Sequence, residues 1–435
     1  MRKFVEETTI RSPNRAAKNH GAGRIWRSRH LLASVSVIST IFGISGVAVA
    51  QEAPPAMPPA DMSMMMMPAP TTPVVTPAIA GPLAYPLNPL TLNLGPFAEK
   101  VYVDGAITGL AFWQNHASGL GADSNSRADL SNGQIFIQKT DGIFQFFVQG
   151  GIYSLPALGT PYVNSHQTEQ LTYGWVPQGF VKIAPTDTFS VEIGKLPTLI
   201  GDEYTFTYEN MNIFRGLLWN QEPAVQRGVQ VNYTAGPVAI SLSLNDGFYS
   251  NRYNWITGSA AWTIDMANSV SLVAGGNVGH TDYATTATPY FQNNGSILNV
   301  IYTHTDGALT VSPYFQYTAV GANAAIGIPH DASTTGFAVL ANYGFDDNFK
   351  LAARIEYIDS SGRGPTLAKS TNLLFGPGSN GFSFTVTPTY QLGIFYFRAE
   401  AAYVNAGSAT AGFSFGPHGT SASQSRFALE GGVLF

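Results

Sequence analysis

The sequence predicts an all-β protein: a transmembrane, up-and-down antiparallel β-barrel of about 16 strands, following a signal peptide and a disordered Pro/Met-rich tether. Three observations carry this prediction. Charged residues make up only 11% of the 435, against roughly 25% in ordinary soluble domains, while Gly reaches 45 and aromatics 12%. From about residue 98 onward apolar and polar residues alternate with period two. The connections between these ladders alternate between short and long, as in a barrel with tight turns at one end and long loops at the other.

The chain opens with eight Lys/Arg against Glu6 and Glu7 in residues 1–30, then the apolar run Leu31–Val47 and Ala48-Val49-Ala50. A basic region, a short apolar core and a small-x-small site make a secretory signal peptide over 1–50, cut after Ala50. An uncleaved anchor helix, or a true start just before Arg24, are the competing readings of that stretch. Residues 51–97 read as a low-complexity periplasmic tether, rich in Pro, Ala and Met at its start and with no apolar face to bury. Met62 and Met64–Met67 are soft thioethers suited to Cu(I), but without a His or Cys partner they read as spacer. Removing the eight bases and two acids of residues 1–50 from the chain's 22 and 27 leaves 14 and 25, a formal charge of −11. That balance excludes a nucleic-acid partner. With no cysteine, disulfides, thiolate metal sites and thiol nucleophiles are excluded too.

The barrel is assigned to 98–435, with strands near 99–113, 133–139, 143–153, 171–183, 188–196, 226–235, 238–245, 256–264, 269–279, 296–304, 308–318, 334–345, 349–358, 381–390, 394–404 and 424–435. Phe189, Val191 and Ile193 alternating with Ser190, Glu192 and Gly194 show the pattern at its cleanest. Pro388 is a blemish in its ladder, because it removes a backbone donor. Short turns such as Thr140-Asp141-Gly142 and Thr305-Asp306-Gly307 separate long connections such as 154–170, 197–225 and 359–380. An even strand count with short periplasmic turns leaves both termini in the periplasm. The last ladder, Phe427, Leu429, Val433 and the terminal Phe435, resembles the assembly signal of bacterial outer-membrane barrels, which implies the barrel assembly machinery as a partner.

Between Gly194 and Asp265 the chain resembles the bacterial outer-membrane β-barrel porin-2 family. Gly194-Lys195, Tyr208-Glu209-Asn210, Asn212, Arg215-Gly216, Arg227-Gly228-Val229 and Asn245-Asp246-Gly247 carry the resemblance. It implies an outer-membrane barrel acting as a porin, with no assigned substrate; the function expected here is a passive diffusion channel for small hydrophilic solutes or ions. It brings no catalytic residues and no cofactor.

If apolar residues face lipid, the opposite parity faces the lumen, because a Lys or Arg turned toward lipid at the bilayer midplane costs about 2–4 kcal/mol. The wall charges are then Asp104, Lys182, Glu192, Lys350, Arg354, Glu356, Arg398, Glu400, Arg426 and Glu430, five acids and five bases. The third long loop, 197–225, contains Phe206, Ile213, Phe214, Leu217, Leu218 and Trp219, which water would not favour. It is expected to fold into the barrel as a constriction carrying Asp202, Glu203, Glu209, Arg215 and Glu222. Its acids would face Arg354, Arg398 and Arg426 across the pore and set up a transverse field. The long loops hold 11 acids against Arg127, Arg215, Arg252, Arg363 and Lys369, so an acidic mouth and weak cation selectivity are expected. Lys195 and Arg227, on the lipid parity at the rim, are placed to meet lipopolysaccharide phosphates or simply to be solvated.

Other signals fail on context. Gly412–Gly416 (GFSFG) places Ser414 in a late loop with no strand–turn–helix around it. Gly376–Gly381 opens a strand where a dinucleotide fingerprint opens a helix. His116, His166, His280, His330 and His418 fall singly on loops, and no metal or cofactor is expected. The competing functional classes are a plugged structural or adhesive barrel and a barrel-embedded hydrolase. Trimers are expected only by analogy with 16-stranded porins.

Overall fold

The computed structural model describes residues 83, 90–98, 100–119, 123–362 and 375–435. The signal peptide, the Met cluster and most of the tether lie outside the described residues, as do Arg363 and Lys369.

The strands are β1 (Leu90–Leu92), β2 (Val101–Gln114), β3 (Ser126–Lys139), β4 (Phe144–Tyr153), β5 (Gln178–Thr186), β6 (Phe189–Pro197), β7 (Val225–Ala235), β8 (Val238–Asn245) and β9 (Trp255–Thr263). They continue as β10 (Asn268–Asn277), β11 (Ser296–Asp306), β12 (Leu309–Val320), β13 (Ala332–Gly344), β14 (Phe349–Ser360), β15 (Asn380–Leu392), β16 (Phe395–Gly407) and β17 (Ser423–Leu434). Strands β2 to β17 pair antiparallel with their sequence neighbours, and β17 closes on β2 from Arg426↔Gln114 to Leu434↔Ala106. The result is a closed 16-strand barrel. Closure leaves no open edge in a medium that cannot hydrogen-bond to one.

Alternation decides the faces. On β14, Ile355 and Tyr357 point outward and are exposed, while Arg354 and Glu356 point inward and are buried. Short turns use local acceptors: Asp346 Oδ1 takes the N–H groups of Asn348 (2.8 Å) and Phe349 (2.7 Å). Gly307 provides the left-handed φ of 55° in the β11–β12 turn, a value most side chains disfavour.

Three elements differ from the sequence reading. The strand expected at 171–183 begins at Gln178; before it runs a helix, α1 (Ser165–Leu171), capped by Asn164, whose Oδ1 accepts from Gln167 N at 2.8 Å. The strand expected at 133–139 extends back to Ser126, with a register shift between Thr108 and Gly109 opposite it. Within the expected tether, β1 pairs Leu90, Thr91 and Leu92 with Val103, Tyr102 and Val101.

At the seam, Phe435 N donates to Gly105 O (3.0 Å) and Gly105 N to Phe435 O (2.7 Å). The terminal ring lies over Gly105, where a Cβ would come within 2.4 Å of it. Gly105→Val should therefore lower the folded fraction on detergent refolding, read as loss of the heat-modifiable band in electrophoresis. Adding Phe435→Ala should restore room for the valine; no rescue would place the defect elsewhere.

The barrel interior is not a uniformly polar tube. Ile213, Phe214, Leu217 and Leu218 of the loop after β6 form a buried apolar cluster with inward-facing Leu110, Phe112, Ile301, Tyr314, Leu340 and Val404. Those wall residues are apolar on the lumen face because an apolar loop segment packs against them.

Candidate pore and its internal loop

The loop joining β6 to β7 leaves the wall at Pro197 and returns at Val225. Between these points it contacts β12 to β17, up to the opposite side of the barrel. Phe206 meets Tyr153 edge-on, with ring centroids 5.4 Å apart, and Phe214 meets Phe112 at 5.7 Å. Such aromatic pairs add about 0.5–1.5 kcal/mol beyond area burial.

Three wall glutamates, one on each of β14, β16 and β17, hold the loop. Glu356 accepts from Leu217 N (3.0 Å), Leu218 N (3.3 Å) and Ser383 Oγ (2.6 Å). Glu400 accepts from Ile213 N (2.5 Å), Phe214 N (3.2 Å) and Thr387 Oγ (2.9 Å). Glu430 accepts from Thr207 Oγ (2.5 Å) and is paired with Arg398, its register partner. A loop running through a lumen has backbone N–H groups that lack ladder partners, and buried orphans are costly. The carboxyl oxygens of Glu356 and Glu400 accept from four of them.

The arginines complete the junction. Arg354 Nη1 donates to Glu203 at 2.5 Å, and its Nε lies 3.2 Å from Glu356. Arg398 donates to the carbonyls of Asn210 (2.8 Å) and Thr207 (2.9 Å). Arg426 bonds Gln114 Oε1 (2.7 Å) and Ala157 O (3.0 Å), with Phe214 4.5 Å from its guanidinium. All three arginines are buried. This differs from the expected transverse field. Glu203 touches Arg354 directly, and Arg398 and Arg426 are covered by loop backbone, so these charges do not face one another across open water.

Of the remaining loop charges, Arg215 and Glu209 bond the loop itself and Glu222 bonds the wall. Arg215 donates to Thr205 O (2.5 Å) and stacks 4.4 Å from the Trp219 ring. Glu209 accepts from Phe206 N (3.0 Å), and burial pushes its carboxyl up to about 8. Glu222 accepts from Tyr314 (3.2 Å). Asp202 makes no ion pair with a described residue, and desolvation raises its carboxyl to about 6.

Open space lies on the other side. A cavity of 920 Å³ at the short-turn end is lined by β3 to β7 and the start of the loop, including Gln138, Lys182, Glu192, Gln230, Asn232 and Tyr204. Lys182 and Glu192 face each other there at 3.5 Å. A smaller pocket of 90 Å³ shares Pro197, Thr198 and Tyr204 with it and reaches Asp202 and Glu203. Of the wall charges read from sequence, only Lys182 and Glu192 line this cavity; Asp104 is buried, with Gln138 donating to it at 3.1 Å. The tyrosine, glutamines and asparagine of the lining escaped the sequence reading. The inward parity of Gln138, Gln230 and Asn232 was their available signal.

At the long-loop end most acids are engaged. Asp123 takes Gln114 Nε2 (2.6 Å) and Ser118 N (2.7 Å), and Asp129 takes Tyr162 Oη and Ser165 N, both at 2.8 Å. Asp246 is paired with Arg227 at 2.7 Å, while Asp282 and Arg252 form an exposed contact at 4.0 Å. Ser414 donates its hydroxyl to the carbonyl of Ser421.

A family model described as "Putative beta-barrel porin-2, OmpL-like" matches residues 100–435. The chain belongs to this family. No curated protein matches this porin-2 chain in sequence. Among solved structures it is similar to the outer membrane channel DcaP of Acinetobacter baumannii, at 11% identity and a TM-score of 0.53, covering 78% of this chain and 99% of that one. It is similar to Salmonella typhi OmpF in complex with daunomycin, at 12% identity and a TM-score of 0.52, covering 80% and 100%. It is also similar to in-vitro folded Vibrio cholerae OmpT in its trimer form, at 12% identity and a TM-score of 0.50, covering 77% and 99%. At these identities the likeness is one of fold. Family and fold together make this an outer-membrane porin barrel.

Proposed function

We propose that this porin-2 chain is a narrow-bore diffusion channel for small hydrophilic solutes or ions, weakly cation-selective and without enzymatic activity. The observation that carries the reading is the loop 198–224, which occupies much of the lumen and borders a polar cavity beside β3 to β7. Solutes pass along that side, between Tyr204 and Asp202 of the loop and Lys182, Glu192, Gln230 and Asn232 of the wall. Both termini are periplasmic, the long loops face outward, and the barrel assembles as a homotrimer, as the trimer form of Vibrio cholerae OmpT does.

Single-channel recording of the refolded protein in a planar bilayer tests this: discrete, small current steps are expected. A silent bilayer at every voltage would overturn it. That result would favour a plugged structural barrel, the reading supported by the apolar cluster inside the lumen.

Selectivity has its own test. In a salt gradient the reversal potential should report modest cation preference, and Asp202→Asn should reduce it. Because its carboxyl is raised to about 6, Asp202 takes a proton as pH falls through that value. Cation preference should then weaken between pH 8 and pH 5; a flat profile would remove Asp202 from the path.

A further inference from the structure

On the outer face of the barrel, at the long-loop end, Lys195 of β6 and Arg227 of β7 stand directly opposite each other in register. One step further into the wall on the same face lie Ile193 and Val229, both exposed as lipid-facing residues are. Like charges directly opposed across a strand pair repel, so this pair needs compensation. Asp246 supplies part of it, accepting from Arg227 Nε at 2.7 Å and from Arg227 N at 2.7 Å. Lys195 has no carboxylate among its described contacts; its Nζ donates to the carbonyls of Tyr173 (3.1 Å) and Val176 (2.8 Å). Two cations thus stand beside one carboxylate, which pairs with Arg227 and leaves Lys195 to carbonyl oxygens.

Between them lies the ring of Tyr249, 3.9 Å from the Arg227 guanidinium and 5.5 Å from Lys195 Nζ. Tyr249 holds a left-handed φ of 55°, a strained state for an aromatic residue, and Arg227 Nη2 bonds its carbonyl at 3.0 Å. The edge-on ring of Tyr173, with centroids 5.0 Å apart, fixes it from the other side. Trp175, on the same connection as Tyr173 and Val176, is largely exposed. Loops from β4–β5 and β8–β9 therefore converge to hold two cations in fixed positions on the lipid-facing surface, with net positive charge left over.

We infer that Lys195 and Arg227 form a binding site for a phosphate group of an outer-leaflet glycolipid, with Tyr249 as the platform that spaces them. A phosphate oxygen supplies the missing anion in a headgroup layer where water screens charge less than in bulk. The inference rests on the long-loop end facing the outer leaflet and is independent of conduction.

The test uses the full chain, refolded into phosphatidylcholine nanodiscs and titrated with bisphosphorylated lipid A, with bound glycolipid counted by native mass spectrometry. Binding should weaken about fivefold for each of Lys195→Gln and Arg227→Gln, with single-channel conductance unchanged. Dephosphorylated lipid A should bind no better than the double variant. Equal binding of both lipid A forms, or by wild type and variants, would overturn the site. Displacement by millimolar inorganic phosphate alone would identify free phosphate as the ligand and overturn the lipid assignment. If Arg227→Gln leaves Asp246 unpaired and fails to fold, Lys195→Gln, which removes no ion-pair partner, decides the question.

Discussion

Replacing Phe206–Trp219 with a short Gly-Ser bridge should raise single-channel conductance several-fold. The deleted segment supplies Phe206, Ile213, Phe214, Leu217 and Leu218 to the lumen and every backbone group that Glu356 and Glu400 hold. The wall itself keeps its ladders, because β14 to β17 pair with one another along their length with or without the loop. The freed Glu356 and Glu400 then face water, where ionised carboxylates are content, and the lumen gains the volume the loop occupied. Conductance equal to that of the intact chain would mean that the loop does not restrict the lumen, and the narrow-bore reading would have to be abandoned.

Arg354→Met should be among the most destabilising single substitutions in the barrel. It leaves Glu203 and Glu356 close together and buried, without the cation that touches both. Breaking a buried ion pair from one side costs about 3–5 kcal/mol, because the uncompensated partner remains desolvated. Chemical unfolding in micelles should show a loss of that size. Adding Glu203→Gln should recover part of it, since the amide removes one of the two stranded charges. A loss under about 1 kcal/mol would place the pair in water and contradict its burial.

Much of the wall was legible from period-two alternation. The ladder read at 349–358 is found as Phe349–Ser360, and that at 381–390 as Asn380–Leu392, Pro388 included. The misreadings have physical causes. At 171–177, Leu171, Tyr173 and Trp175 alternate as a strand would, yet Leu171 ends the helix capped by Asn164 and the strand starts only at Gln178. At 90–92, LTL alternates too briefly to stand out from its Pro-rich surroundings, and only pairing with β2 makes it a strand. In the lumen, parity placed the charges on the inner face, but parity alone does not say what covers them. Glu356 and Glu400 accept from backbone, and Glu430 from the Thr207 hydroxyl, of a loop more than a hundred residues away in sequence, a relation no local pattern encodes.

The seam between β2 and β17 has a consequence for biogenesis. It joins segments separated by nearly the whole barrel, as the 310-residue span of the Ser425–Asn115 hydrogen bond shows. Contacts of such long range form late, so β2 must wait with one edge unpaired while fifteen other strands are made. During that wait β1, only about ten residues upstream, is positioned to lie along the same edge at Val101–Val103, next to where β17 finally docks. A local strand of three residues thus covers only the foot of that edge, and Ala106–Gln114 stays open to a wrong neighbour until β17 docks and Phe435 locks over Gly105.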